Sequence, residues 1–166
     1  MKKNIVLIGM PGTGKSAVGK ALANNYGWEF IDTDNRIVEL EGRSLPDIIE
    51  NGTYEEFLAA EGNAGKTLKC KDAVIATGGS MVLIEDAIVH LKEIGTVVYL
   101  KTSLDILENR LEKTMVSRGV ATPRPMTVSE IFKMREPYYD KYADISVDCT
   151  NGIDKMVKII VKEIEG

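Results

Sequence analysis

The chain has 166 residues, of which 44% are hydrophobic and 28% charged, a composition typical of one soluble globular domain and not of a disordered chain. Its formal net charge of −4 provides no basic field that would recruit nucleic acid or an anionic membrane surface, so we expect neither as a partner. Cys70 and Cys149 are too few and too far apart for a disulfide framework or a metal site, and we expect both to be reduced, as in the cytoplasm.

Strand-like and helix-like segments alternate along the whole chain, starting from a short apolar run after Met1-Lys2-Lys3-Asn4. That run is too short for a signal peptide or a transmembrane helix, and it predicts a first strand. The predicted strands are residues 3–9, 28–31, 73–77, 96–100 and 145–147. The predicted helices are residues 17–26, 34–41, 45–50, 53–68, 83–93, 103–113, 127–140 and 151–165. Residues 114–126 lack periodicity and contain glycine and proline, which predicts a mobile loop.

This alternation predicts a three-layer α/β fold, in which helices cover both faces of a five-stranded parallel sheet within a single domain. Ligands of such sheets bind at the carboxyl ends of the strands. We therefore expect the chemistry in the residues that follow the first four predicted strands.

Residues Gly9 to Ser16 read Gly-Met-Pro-Gly-Thr-Gly-Lys-Ser and match the P-loop pattern Gly-x-x-x-x-Gly-Lys-[Ser/Thr]. The glycines let backbone N–H groups surround an anion, and the following helix N-terminus adds partial positive charge. The pattern predicts a nucleoside triphosphate site, in which Lys15 contacts the β- and γ-phosphates and the Ser16 hydroxyl binds Mg²⁺. A glycine-rich turn with an incidental lysine is the alternative, which the flanking strand and helix disfavour. The predicted nucleotide-binding residues of this segment are Gly12, Thr13, Gly14, Lys15, Ser16 and Ala17.

Two carboxylates, Asp32 and Asp34, follow the second predicted strand. Asp32 could hold a water bound to Mg²⁺, and Asp34 could accept a proton from an attacking hydroxyl group. An Asp-x-Asp pair also marks turns and helix N-termini, but a strand end beside a P-loop favours the functional interpretation. Thr77 ends the third predicted strand where a second acid could stand, so Asp32 is the leading metal candidate. Gly78-Gly79 follows and predicts either a plain turn or a floor whose N–H groups bind substrate.

Four arginines lie in the aperiodic loop or on the helices beside it: Arg110, Arg118, Arg124 and Arg135. Phosphoryl transfer needs cations near the γ-phosphate, and a closing lid that carries one also excludes water. Arg124, between two prolines, is the best candidate for a lid cation. Arg110 could stack on adenine, and Arg135 could pair with a substrate anion.

Taken together, these residues resemble the shikimate kinase family of P-loop kinases, and the resemblance runs essentially from end to end. The matching segments are Gly9–Ser16, Phe30–Asp34, Ile48–Gly52, Phe57–Glu61, Ile75–Gly79, Arg124-Pro125 and Arg135–Tyr139. The P-loop alone indicates only a nucleotide-binding protein, whereas the joint pattern is specific to this family.

The resemblance implies transfer of a phosphoryl group from ATP to a hydroxyl group of a small metabolite, with shikimate as the first candidate. It implies a sheet of order 2-3-1-4-5, a substrate-binding helical segment at about 34–69 and a lid at about 114–126. It implies catalytic roles for Lys15, Asp34 and Arg124, a place along the adenine for Arg110, and Mg²⁺ held by Ser16 and Asp32. The implied substrate-binding residues are Asp34, Gly78, Gly79 and Arg135. We further expect a monomer in the cytoplasm that serves aromatic amino acid biosynthesis.

Two departures from the family pattern affect the acceptor. The family's Phe-Arg-x-x-Glu is here Phe57-Leu58-Ala59-Ala60-Glu61, so Leu58 stands where an arginine pairs with the carboxylate of shikimate. The family's three consecutive glycines are here Gly78-Gly79-Ser80. Loss of one of two cations that face a carboxylate typically costs ~1.5–3 kcal/mol, or about ten- to a hundredfold in affinity.

Four functions therefore stay open from the sequence. The protein could be a shikimate kinase that binds the carboxylate through Arg135 alone, or a relative that phosphorylates another small hydroxy compound or a polyol. A nucleoside monophosphate kinase fits the Arg135 motif less well. A nucleotide-binding regulatory module without catalysis is disfavoured, because the residues predicted to bind phosphate and activate the acceptor are all present.

Overall fold

The computed structural model describes residues 3–111, 120–149 and 152–166. The strands are β1 (Asn4–Ile8), β2 (Glu29–Asp32), β3 (Ala73–Ala76), β4 (Thr96–Lys101) and β5 (Ile145–Asp148). The helices of the described residues are α1 (Lys15–Tyr26), α2 (Thr33–Glu41), α3 (Leu45–Asn51), α4 (Tyr54–Lys66), α5 (Glu85–Ile94), α6 (Leu104–Leu111), α7 (Val128–Tyr142) and α8 (Ile153–Glu165). A 3₁₀ turn, Met81–Leu83, precedes α5.

The five strands form one parallel sheet in the order β2-β3-β1-β4-β5, which confirms the predicted fold and strand order. The central strand β1 pairs with β3 on one side and with β4 on the other. On the side of β3 away from β1, Asp32 at the carboxyl end of β2 lies opposite Ala76. The carboxyl ends of β1, β2 and β3 therefore meet at one edge of the sheet. The predicted site residues lie at this edge, in the segments that follow these strands.

Helices cover both faces of the sheet, and the side chains of β1 divide between the two layers. Val6 and Ile8 belong to a buried cluster with residues of α5, α6 and α7, while Ile5 and Leu7 belong to one with α1 and α8. All five residues of β1 are buried, as expected for the central strand of a parallel sheet covered on both faces.

A third buried cluster joins α2, α3 and α4 outside the sheet, and it lies within the predicted substrate-binding segment. Its buried residues are Ile37, Ile48, Phe57, Ala60, Ala64 and Ala121. Ala121 comes from the segment between α6 and α7, so the described end of the predicted lid packs onto the helices that should hold the acceptor.

Capping residues fix the start of α4 and of α7. Thr53 accepts a hydrogen bond from the Glu56 N–H while the Glu56 carboxylate accepts from the Thr53 N–H, so Thr53 caps α4. Thr127 and Glu130 form the same arrangement, so α7 begins at Val128. None of the helices in the described residues has the length and apolar character needed to cross a bilayer.

Most element bounds agree closely with the prediction, and the differences have local causes. The predicted helix 83–93 begins at Glu85, because the chain first makes the 3₁₀ turn after Ser80. The predicted helix 53–68 ends at Lys66, because Leu68 turns into the core and is 4% exposed. Residues 120–126 contain neither helix nor strand. The rest of the predicted loop, and the end of the helix predicted at 103–113, fall outside the described residues.

The first residue of β1 ties three parts of the chain together at the opposite edge of the sheet. The Asn4 side-chain amide donates hydrogen bonds to the carbonyl oxygens of Cys70 at 3.1 Å and Ile94 at 2.9 Å. Its side-chain oxygen accepts from the Ala73 N–H at 3.0 Å. Asn4 is buried, so these bonds satisfy an amide that would otherwise destabilise the core.

Candidate active site

The loop between β1 and α1 has the backbone of a phosphate-binding loop. Gly9, Gly12 and Gly14 have positive φ values of 148°, 81° and 88°, a region that favours glycine. Gly14 is the N-cap of α1, and no side chain caps that helix start. The first N–H groups of α1 are therefore open to an anion at the positive end of the helix dipole.

Lys15, the first residue of α1, folds its side chain over this loop. Its Nζ donates hydrogen bonds to the carbonyl oxygens of Gly9 and Met10, both at 2.8 Å. Burial lowers the pKa of Lys15 to about 8, and the nearby Asp34 opposes that shift. The ammonium group is thus held beside the anion site, where phosphate oxygens could replace the two carbonyls.

Asp32 caps α2, as one interpretation of the Asp-x-Asp pair predicts, and its second carboxylate oxygen faces the P-loop, while its role at a metal stays a prediction. One carboxylate oxygen accepts from the Asp34 N–H at 2.9 Å and caps α2, while the other accepts from Ser16 Oγ at 3.3 Å. The cap holds the carboxylate facing the P-loop, so the structural role supports the functional one. A hydroxyl and a carboxylate at this spacing are oxygen ligands of the kind that Mg²⁺ prefers.

Asp34 lies in the first turn of α2 and lines the same cleft as Lys15. Burial, together with the charge of Asp32, raises the pKa of Asp34 to about 6, and Lys15 opposes that rise. The carboxylate is therefore mostly ionised at neutral pH but close to its titration point, which suits an exchange of protons with a bound hydroxyl group.

Gly78 and Gly79 form a floor that is held from two sides. The Gly78 N–H donates to Thr33 Oγ1 at 3.0 Å, and the Gly79 carbonyl accepts from the Tyr139 hydroxyl at 2.6 Å. The Gly78 N–H is therefore used within the protein in this structure, and its predicted role in binding substrate stays a prediction. A Cβ atom on Gly79 would lie 2.7 Å from Nη1 of Arg135, so the floor requires a residue without a side chain there.

Arg135 on α7 is 1% exposed, which is rare for a guanidinium group. Its Nη2 donates to the carbonyl oxygen of Ala121 at 3.1 Å, whereas its Nε has no hydrogen-bond partner in the described part of the chain. A buried cation with unused N–H capacity beside Gly79 is suited to binding an anion.

Most of the predicted site residues converge on one cleft of about 460 Å³. The predicted residues that line it are Gly12, Gly14, Lys15, Ser16, Ala17, Asp32, Asp34, Gly78, Gly79 and Arg110. The Nη1 group of Arg110 donates to the Gly12 carbonyl at 2.6 Å. Thr13 is buried in the loop, and its hydroxyl finds no partner among the described residues.

The structure does not bring Arg124 into this cleft. Its side chain is 63% exposed and pairs with Glu130 at 3.1 Å, at the start of α7. Arg118 falls in the range 112–119, outside the described residues. Leu58, in the position of the family's arginine, is half-buried on α4 against the third cluster and lines a groove with Ile84.

Sequence reasoning assigned no role to two buried side chains beneath the floor. Glu61 on α4 is fully buried, and its Oε2 accepts a hydrogen bond from Ser80 Oγ. Burial raises the pKa of Glu61 to about 7. The sequence did contain one sign of this role. Glu61 lies four residues after Phe57, on the apolar face of the helix, where a charged residue needs a partner.

A phosphate-binding loop that faces a titrating carboxylate, at the carboxyl edge of a parallel sheet in this order, defines the protein as a P-loop kinase of small molecules. The family model described as shikimate kinase matches residues 11–165. The chain therefore belongs to the shikimate kinase family, whose members use ATP.

Individual relatives agree with this assignment over nearly the whole chain. The shikimate kinase of Caldanaerobacter subterraneus subsp. tengcongensis is 35% identical, over 98% of this chain and 94% of that protein. The structure of shikimate kinase from Acinetobacter baumannii in complex with shikimate has a TM-score of 0.83 and 28% identity, covering 98% of this chain and 93% of that one. The shikimate kinase of Aquifex aeolicus also gives a TM-score of 0.83, with 32% identity, covering 98% of this chain and 96% of the other.

Proposed function

We propose that the protein transfers the γ-phosphoryl group of ATP to a hydroxyl group of shikimate. The observation that carries the proposal is that Asp34, the candidate base, lines one cleft with Lys15, the candidate phosphate ligand, and with the Gly78-Gly79 floor. Family membership over residues 11–165 and the shikimate-bound relative support shikimate as the acceptor.

At the nucleotide end, the N–H groups of α1 and Lys15 bind the phosphates, and Arg110 lies along the adenine. The position of Arg110 at the cleft, bonded to the Gly12 carbonyl, supports that role. Ser16 and Asp32 would hold Mg²⁺, which would supply positive charge to offset that of the phosphates; a magnesium site of this kind needs only one or two protein oxygens besides the phosphates.

At the acceptor end, Asp34 receives the hydroxyl proton as the acceptor oxygen attacks the γ-phosphorus and the bond to ADP breaks. Arg135 pairs with the carboxylate of the acceptor, and Gly79 lets the acceptor approach that guanidinium. The unused Nε of Arg135 and its burial support this assignment, because a desolvated cation binds an anion strongly.

Arg124 is the proposed lid cation and would have to leave Glu130 to reach the γ-phosphate. Solvent screens an ion pair that is this exposed, so it holds Arg124 only weakly against that movement. We also propose that the protein acts as a monomer in the cytoplasm; the two free cysteines fit a reducing compartment.

The experiment is an ATP-coupled assay of the wild-type protein with shikimate, quinate, gluconate and polyols as acceptors, with and without Mg²⁺. We expect turnover with shikimate, and a loss of turnover in Lys15→Ala because the transferring phosphoryl group loses its cation. Shikimate turnover by Lys15→Ala at the wild-type rate would contradict the assignment of the P-loop.

A second candidate is a kinase of another small hydroxy compound, and Leu58 is the observation that favours it. Leu58 stands where the family has an arginine. Of the residues that we assign to the acceptor, Arg135 is then the cation that could bind a carboxylate. The same set of acceptors distinguishes the two candidates. Turnover of an uncharged polyol, without turnover of shikimate, would support the second candidate.

A further inference from the structure

The buried carboxylate of Glu61 lies directly behind the acceptor floor but has no part in the proposed reaction. Its Oε1 would collide with a Cβ atom on Gly78, so it is adjacent to the cleft-lining backbone. Its Oε2 accepts from Ser80 Oγ, while Oε1 has no partner within the described residues. Ser80 itself is 3% exposed, so solvent does not replace this hydrogen bond.

Arg135, on α7, is a candidate to neutralise this carboxylate, but no ion pair joins the two among the described residues. Arg135 lowers the pKa of Glu61, and its Nη2 is directed to Ala121. Of the other charged groups, Asp34 on α2 raises the pKa of Glu61 and Lys15 on α1 lowers it. Glu61 in turn raises the pKa of two neighbouring phenols, Tyr54 on α4 and Tyr139 on α7. An ionised carboxylate in this setting requires a hydrogen-bond donor, and Ser80 supplies it.

Position 58 explains why the donor is needed here. Leu58 precedes Glu61 by three residues on α4, and side chains at this spacing share a face of a helix. A cation at position 58 could therefore neutralise Glu61, whereas Leu58 cannot. The two departures from the family pattern, leucine at 58 and serine at 80, thus converge on one carboxylate.

We propose that Ser80 is a positioning residue whose hydroxyl holds the Glu61 carboxylate in place of an arginine at position 58, and so keeps Arg135 free for the acceptor. The role of Arg135 in binding the acceptor rests on the proposed function, whereas the role of Ser80 at Glu61 does not. Above its pKa of about 7 Glu61 is ionised, and without the Ser80 donor this ionised carboxylate draws the Arg135 guanidinium away from Gly79, so the acceptor loses its cation. Replacing the carboxylate by an amide removes that attraction, because no charge is left to neutralise.

The test compares Ser80→Ala with two double variants, Ser80→Ala combined with Glu61→Gln and Ser80→Ala combined with Leu58→Arg. Ser146→Ala, at an exposed position of β5, is the matched control. We measure the melting temperature without ligands and the KM values for shikimate and for ATP. Ser80→Ala should lower the melting temperature by a few degrees and raise the KM for shikimate about tenfold, as for one charged hydrogen bond, with the KM for ATP unchanged. Both double variants should reverse most of each effect.

A purely structural role for Ser80 predicts instead that neither double variant recovers the loss, or that the KM for ATP rises in parallel; either result overturns the proposal. If Ser80→Ala is too unstable to assay, the pair with Glu61→Gln must still fold, and its failure to fold also overturns the proposal. If the wild type does not phosphorylate shikimate, the proposed function fails while the melting temperatures still decide whether Ser80, Glu61 and position 58 are coupled.

Discussion

At the scale of single residues, Asp34 has the clearest chemical assignment. Asp34→Asn keeps the size of the side chain and removes the base, so kcat should fall by about 10²-fold or more while ATP still binds. The check is a steady-state assay together with calorimetric titration of ATP. Asp140→Asn is the matched control, because Asp140 is exposed on α7 and its ion pair with Lys101 is long, at 3.7 Å. Wild-type kcat in Asp34→Asn would show that Asp34 does no more than line the cleft.

The P-loop and both carboxylates could be assigned from the sequence because each is a short pattern at a strand end. The hydrogen bond of the Gly78 N–H could not be predicted from the sequence. Its partner Thr33 lies 45 residues away, and a contact at that separation leaves no local pattern. The hydrogen bond of Ser80 to Glu61 was missed for the same reason. A charged residue on the apolar face of α4 was the visible sign, but it does not name its partner.

At the scale of elements, the lid between α6 and α7 stays a prediction, because residues 112–119 fall outside the described residues. The sequence predicted a lid at about 114–126 that brings Arg124 to the nucleotide. The described end of that segment packs Ala121 onto the acceptor helices and pairs Arg124 with Glu130. Helices and strands were predictable because burial imposes a period on them, and an aperiodic segment offers no such period.

Arg124→Ala should lower kcat by about 10²-fold or more if Arg124 reaches the transferring phosphoryl group, with little change in melting temperature because the pair with Glu130 is exposed. Steady-state kinetics and a thermal melt make the measurement. Lys92→Ala is the control, because Lys92 also pairs with an acid, Asp144, but at the opposite edge of the sheet. An unchanged kcat in Arg124→Ala would remove Arg124 from the catalytic residues.

At the scale of the whole molecule, two buried carboxyl groups make the free energy of unfolding depend on pH. Folding raises the pKa of Glu61 from 4.5 to about 7 and that of Asp34 from 3.8 to about 6. The folded state therefore holds these protons more tightly than the unfolded state. Their contribution to stability is greatest below the unfolded pKa and is lost as the pH rises through the folded pKa.

Glu61→Gln removes one of these groups, so its melting temperature should rise relative to the wild type between about pH 5 and pH 7, and the difference should level off above that range. Thermal melts across the range provide the measurement. Glu163→Gln, exposed on α8, should show no such trend. If the difference in melting temperature between Glu61→Gln and the wild type stayed constant from about pH 5 to pH 7, Glu61 would have an ordinary pKa in the folded protein.

The position of β1 in the middle of the sheet also limits how early the protein can fold during its synthesis. The P-loop is synthesised before β3 and β4, yet these two strands are the neighbours of β1, and the bonds of Asn4 span 69 residues to Ala73 and 90 to Ile94. Pairing over such separations is slow, since the intervening chain must be ordered first. Until β3 and β4 are synthesised, the apolar segment Asn4–Ile8 stays unpaired and prone to aggregation. A translation product interrupted before β3 contains the full P-loop sequence but has no nucleotide site.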